Sequence, residues 1–204
     1  MPDRTTHWQN VYTTKAENEV SWFQENPATS LHLIRDAGAS PSSAIIDIGG
    51  GASRLVDALV GRGFRALAVL DISAAALEAA KTRLGSNSAD VDWITADVTK
   101  WTPTRTYDIW HDRAALHFLT EAADRDAYVD RLKSAVAPHG QVIIGTFALD
   151  GPENCSGLQV ARYDAKSLSD VLGPGFALAD NLTEAHRTPW GAVQRFQFCR
   201  FRRV

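Results

Sequence analysis

The sequence predicts an α/β fold: a mostly parallel seven-stranded sheet with helices on both faces and an antiparallel hairpin at its C-terminal end. Three observations carry this. Short apolar runs alternate with amphipathic segments between residues 44 and 172, and strands that are apolar almost throughout belong in sheets covered on both sides. The run Ile45-Ile46-Asp47-Ile48-Gly49-Gly50-Gly51-Ala52-Ser53 reads as a buried strand, a tight glycine turn and the start of a helix. Near the C-terminus, two candidate strands at roughly 176–186 and 192–202 are separated by Thr188-Pro189-Trp190-Gly191. A connection that short cannot hold a crossover helix, so the pair must be antiparallel.

The elements follow in order. Residues 1–25 look irregular but carry Trp8, Tyr12, Trp22 and Phe23. A disordered tail rarely holds so many aromatics, so residues 1–26 are expected to form an arm or lid that packs on a domain spanning 27–204. Pro27 to Ala37 reads as a helix with Leu31 and Ile34 on one face, stopped by Gly38 and Pro41. Strands are expected at 44–48, 65–70, 91–95, 107–111 and 141–147. Helices are expected at 53–62, 73–84, 122–137 and 164–172. Leu55 and Leu59, then Leu77, Ala80 and Leu84, then Tyr128, Leu132 and Val136, mark single apolar faces on the first three of these.

Composition narrows the function. With 204 residues, 45% of them hydrophobic, one domain with an ample core is the default. A net charge of −3 supplies no basic surface for nucleic acid or for an anionic membrane. The one dense basic cluster, Arg195, Arg200, Arg202 and Arg203, alternates with Phe196, Phe198, Cys199 and Phe201, the pattern of an edge strand. Cys155 and Cys199 are the only cysteines and lack ligand spacing, so neither a disulfide framework nor a metal site is expected. No apolar stretch has the length of a signal peptide or a membrane span, so the expected compartment is the cytoplasm.

A strand–glycine turn–helix serves two nucleotide-type ligands, dinucleotides and S-adenosylmethionine. Asp47 would repel the pyrophosphate of NAD but attract the ammonium and sulfonium of S-adenosylmethionine. The dinucleotide spacing G-x-G-x-x-G also fails, because Arg54 stands at its last position. Asp71 ends the second apolar run 22 positions beyond Gly49, where an acidic residue takes both ribose hydroxyls. Its alternative role is to cap the helix that starts near Ser73.

Residues 40–202 resemble the class I S-adenosylmethionine-dependent methyltransferases, whose fold is Rossmann-like. The resemblance is carried by DIGGGAS, LDIS, TADVT and YDIWHDRAALHFL. The family's common third glycine is Ser53 here. The resemblance implies a cofactor set of Asp47, Gly49, Gly50, Gly51, Asp71, Ile72, Asp97, Val98, Asp112 and Arg113, with Asp97 and Val98 at the adenine. Capping a helix is the other reading of Asp97. The arm is similar to the N-terminal segment that closes over the cofactor in thiopurine-, tellurite- and related small-acceptor enzymes, which adds Trp8, Tyr12 and Trp22. Some protein-lysine methyltransferases begin alike.

HDRAALHFL resembles the Asp-Arg-Gly-Ala-Leu stretch of thiopurine-type enzymes, with Ala114 in place of glycine, and faces the transferable methyl in that fold. His111, Asp112 and His117 are therefore the catalytic candidates. An Asp112–Arg113 ion pair and a buried His117 are the structural alternatives. The loop from Ala148 to Val160 is expected to border the acceptor, with Cys155 as a lining residue and not a nucleophile. These features imply methyl transfer to a small molecule through S, Se, O or N. Protein-lysine methylation and a non-catalytic cofactor-binding regulator are the alternatives, and an NAD-dependent oxidoreductase is disfavoured.

Overall fold

The computed structural model describes residues 3–204; Met1 and Pro2, the start of the expected arm, lie outside the described residues. Chain order runs α1 (Arg4–Thr14), α2 (Ala28–Asp36), β1 (Ile45–Ile48), α3 (Leu55–Gly61), β2 (Leu67–Asp71), α4 (Ala74–Leu84), β3 (Val91–Thr95) and β4 (Tyr107–Arg113). It continues through α5 (Ala122–Ala135), β5 (Val136–Phe147), the two-residue strands β6 (Asn154–Cys155) and β7 (Leu158–Gln159), α6 (Ala165–Leu172), β8 (Phe176–Arg187) and β9 (Val193–Arg203). The main sheet has seven strands in the order β3-β2-β1-β4-β5-β9-β8. All neighbours are parallel except β9, which runs antiparallel to both β5 and β8.

The central strands β1, β2 and β4 are buried on both faces, which is why they read as apolar runs, whereas β8 at the edge is largely exposed. Ile46, Ile48, Leu70, Trp110, Val142 and Ile144 pack with Tyr128 and Leu132 of α5 and Leu168 and Leu172 of α6. Ile45, Val69, Ile109 and Ile143 face the other way, onto Leu33 and Ile34 of α2, Leu55 and Leu59 of α3, and Leu77 of α4. Ser73 caps α4 by accepting from the Ala76 amide at 3.2 Å, and Asp164 with Ser167 forms a reciprocal capping box on α6.

The order of strands reverses between β1 and β4, so a crevice opens at their C-terminal ends, where open α/β sheets bind ligands. In register, Asp47 lies opposite His111 and Ile48 opposite Asp112.

Several elements differ from expectation. The first residues of the arm are helical, as α1, although only Val11 of that helix is fully buried. β4 runs on to Arg113, and β5 starts at Val136 through an irregularity opposite Tyr107 and Ile109. The loop after β5 folds back on itself as the β6–β7 hairpin. Its turn places Ser156 and Gly157 at φ 52° and 77°, the left-handed geometry that two-residue hairpin turns require. Among the described residues no helix is long and apolar enough to cross a membrane.

Candidate functional site

The glycine turn after β1 is compressed. Gly49 and Gly51 have φ of 63° and 44°. A Cβ on Gly49 would meet Ala115 Cβ at 2.7 Å, one on Gly50 would meet Asp47 Oδ2 at 2.6 Å, and one on Gly51 would meet Asp71 Oδ2 at 2.9 Å. Only glycine fits these positions, and the backbone they expose lies between two carboxylates.

Asp71 is 6% exposed at the end of β2. Its Oδ1 accepts from the Ser73 amide at 2.8 Å. The helix cap itself is Ser73, so the Asp71 carboxylate is not committed to that duty. Burial, reinforced by the Asp47 charge, pushes its pKa up to about 7 against the pull of the surrounding backbone N–H groups. Asp97 divides its oxygens. Oδ1 accepts from the amide and hydroxyl of Thr99 at 2.9 and 2.7 Å, whereas Oδ2 lies 3.6 Å from the Arg4 guanidinium.

The arm is fastened at several points. Gln9 Oε1 accepts from Ser73 Oγ at 3.1 Å and from the Ala75 amide at 3.2 Å, satisfying a donor that the first turn of α4 leaves open. Glu17 bridges Arg54 and Arg83, and Trp22 Nε1 donates to Tyr12 Oη at 3.2 Å. Trp8 stands edge-on to Trp22 at 5.6 Å and to Phe118 at 4.9 Å between ring centres. His7 meets Ser156 of the β6–β7 turn at 3.3 Å, so the arm and that hairpin close on one another.

Beneath them lies a cleft that opens to solvent. Trp8, Tyr12, Trp22 and Phe118 form its roof, while Gly49, Asp71, Ile72, Asp97 and Val98 form its floor. A second chamber shares Tyr12, Trp22, Gly49 and Arg113 with the cleft and reaches Gly50, Asp47, His111 and Ser30.

The three catalytic candidates do not converge. Successive residues of β4 point to opposite faces. His111 turns toward α2 and bonds Asp47 and Ser30. Asp112 turns the other way, into the α5 face, where it accepts from Tyr128 Oη at 2.7 Å and from the Ala115 and Leu116 amides at 2.8 and 3.1 Å. Burial pushes the Asp112 carboxyl up to about 6, but every bond it makes belongs to the core and to the turn that follows. Nor is the alternative Asp112–Arg113 ion pair formed: Arg113 lies beside Glu184 at 3.9 Å. His117 is fully buried, and among the described residues neither ring nitrogen has a hydrogen-bond partner. Burial and the Arg113 charge hold its pKa down at about 3, so it is a neutral imidazole packed on Phe147.

Of the group, Arg113 alone lines the main cleft. Its guanidinium donates to the Trp22 carbonyl at 2.9 Å and stacks on Phe196, and burial lowers its pKa to about 10. Cys155 also lines the cleft, with burial raising its thiol to about 11. Sequence reasoning missed Ser30, Arg4, Gln9 and Phe118. Nothing local marks Ser30 apart from a helix start, and the other three acquire their places only through docking of the arm.

A seven-stranded sheet in this order, with a glycine turn and acidic strand ends around one crevice, defines a Rossmann-like class I methyltransferase fold. Residues 45–140 match the family model described as a methyltransferase domain, and the fold is that of class I S-adenosylmethionine-dependent methyltransferases. Solved structures agree on the fold. The N-methyltransferase NodS from Bradyrhizobium japonicum, in complex with S-adenosylhomocysteine, superposes with a TM-score of 0.72 at 17% identity, covering 98% of this chain and 99% of that one. A 1,6-didemethyltoxoflavin N1-methyltransferase from Burkholderia thailandensis gives 0.69 at 18% identity, covering 98% and 84%. A TehB-like methyltransferase from Corynebacterium glutamicum gives 0.65 at 16% identity, covering 98% and 95%. No curated protein matches the chain by sequence.

S-adenosylhomocysteine is bound in the NodS and the toxoflavin-type structures, and the site of this chain suits a ligand of that kind. The glycine cradle has no room for a Cβ, and Asp71 is a buried carboxylate that, among the described residues, accepts from N–H groups of its own loop and the glycine turn.

Proposed function

We propose that this enzyme methylates a small molecule whose nucleophile arrives already reactive, an amine as its free base or a thiol that is partly ionised in water. One observation carries the reading. The cleft is roofed by aromatics, and among the described residues its titratable lining consists of Arg4, Tyr12, Asp71, Asp97, Arg113 and Cys155, with no histidine or lysine. Burial and the Asp71 charge push the Tyr12 phenol upward, and Cys155 stays a thiol. An alcohol, which needs a strong base, finds none here.

In this reading Asp71 accepts from the ribose hydroxyls, Asp97 and Val98 flank the adenine, and Gly49 to Gly51 run under the amino-acid end. When bound, the cofactor supplies a methyl on a sulfonium, open to in-line displacement. The chain's part is to hold the acceptor in line and to exclude water, which by itself accounts for much of the acceleration. Residues 3–26 serve as the lid, with Trp8, Tyr12 and Trp22 over the reacting centre and Arg113 beneath it. N-methyltransferases among structures of similar fold accord with an amine acceptor.

An acceptor screen that reads S-adenosylhomocysteine release tests this, using amines, thiols, phenols and carboxylates, and cell lysate with and without protease. Turnover with dialysable amines or thiols, insensitive to protease, is expected. Turnover confined to protease-sensitive acceptors would replace this reading with protein-lysine methylation. Tight cofactor binding without turnover on any acceptor would replace it with a regulatory cofactor binder.

A further inference from the structure

We propose that Ser30 and His111 are positioning residues that aim the Asp47 carboxylate at the α-ammonium of the cofactor's amino-acid end. The inference rests on the cofactor assignment and extends it to residues outside the main cleft. Asp47 and His111 are register partners on neighbouring parallel strands, and both point to the face covered by α2. A continuous hydrogen-bonded chain results. Ser30 Oγ lies 2.8 Å from His111 Nε2, and His111 Nδ1 lies 2.7 Å from Asp47 Oδ1. The three residues are 1%, 2% and 5% exposed.

The direction of this chain follows from its carboxylate end. Facing a carboxylate, Nδ1 carries a proton and donates to Oδ1, and the Ser30 hydroxyl, which can donate or accept, meets Nε2. The carboxylate therefore sets the Nδ1 proton, and the Ser30 hydroxyl on Nε2 fixes the ring orientation that holds Oδ1 of Asp47. The remaining oxygen, Oδ2, abuts the glycine turn, where a Cβ on Gly50 would lie 2.6 Å away. Asp47, His111 and Ser30 all border the chamber that adjoins the cleft at Gly49 and Tyr12. Asp47 has His111 as its one side-chain partner, and a carboxylate this dry is completed by a cation. A ligand whose ribose is at Asp71 and whose backbone crosses Gly49 brings its ammonium to this chamber. Loss of the Ser30 hydroxyl leaves the buried Nε2 without its partner and the ring free to turn, which disturbs the aim of Asp47.

The test compares S-adenosylhomocysteine with 5′-methylthioadenosine, which shares the nucleoside but lacks the amino-acid end, by calorimetry. Loss of one charge-assisted hydrogen bond corresponds to about tenfold in affinity or somewhat more. Ser30→Ala and His111→Leu are expected to weaken S-adenosylhomocysteine by about that factor and to leave 5′-methylthioadenosine nearly unchanged. His111→Asn, whose amide N–H stands where Nδ1–H stood, is expected to recover most of the loss. In turnover, KM for the cofactor should rise with kcat held. Should His111→Leu fail to fold, Ser30→Ala gives the same comparison, because it leaves no charge unpaired. Equal losses for both ligands, or a fall in kcat at unchanged S-adenosylhomocysteine affinity, would overturn the proposal. A wild-type protein that binds neither nucleoside would instead overturn the cofactor assignment beneath it.

Discussion

Asp71→Asn should make the ligand-free protein more stable and the cofactor complex weaker. The wild-type carboxyl has a pKa near 7 in the folded chain, raised by burial and by Asp47, against about 3.9 when unfolded. A folded-state pKa above the unfolded one means that the folded chain holds the proton longer. The stability contributed by Asp71 is therefore fully present below about pH 4 and is lost as pH rises toward 7. Three pKa units correspond to on the order of 4 kcal/mol. Asparagine is neutral throughout, keeps an oxygen for the Ser73 amide, and escapes that loss. For a chain of this size, even half of the difference raises Tm by roughly 4–8 °C. Thermal unfolding without ligand from pH 4 to pH 8.5 should show the variant equal to wild type at the acid end and above it at the alkaline end. Calorimetry should show the opposite for S-adenosylhomocysteine. Two hydrogen bonds to a charged acceptor are weakened, so affinity falls by about 10- to 100-fold or more at pH 8. Wild-type affinity should itself decline as pH drops below 7, whereas that of the variant stays flat. A variant that is less stable than wild type at pH 8, or that binds the ligand equally well, would refute the reasoning.

Other outcomes follow from the same geometry. Asp112→Ala should cost about 2–4 kcal/mol, because it strips partners from two buried amides and from Tyr128; denaturant unfolding measures this, and full stability with lost turnover would return Asp112 to the acceptor site. Ala114 sits at φ 72°, so Ala114→Gly should relieve backbone strain and gain about 0.5–1 kcal/mol, read as a small rise in Tm. Deleting residues 1–24 should lower cofactor affinity and activity more than ligand-free stability. Amide exchange of α1 in the intact chain should slow when S-adenosylhomocysteine is added, and equal exchange in both states would make the arm a fixed wall.

Much of the architecture was legible before any coordinates. Apolar runs bounded by glycine and polar residues located the strands, and helical spacing located α2 to α6, because secondary structure follows local periodicity. α1 escaped this reading because Arg4 to Thr14 has almost no apolar stripe, with Val11 alone buried. It is held from outside, by Gln9 on α4, Arg4 beside Asp97 and Asp124, and the aromatics over the cleft.

By itself the sequence determined the chemistry of the glycine turn and its acidic neighbours, and with it the expected cofactor, since charge and the lack of a Cβ act wherever the strand ends. Only the tertiary structure decided what each residue of β4 touches. Ile109, Trp110, His111 and Asp112 are all buried, so alternation of polarity, which reveals facing in a half-exposed strand, carries no signal in one covered on both sides. His111 reached Asp47 through strand register and Ser30 through the packing of α2. Asp112, its neighbour by one residue, was turned by the pleat to Tyr128 in the opposite layer of the core.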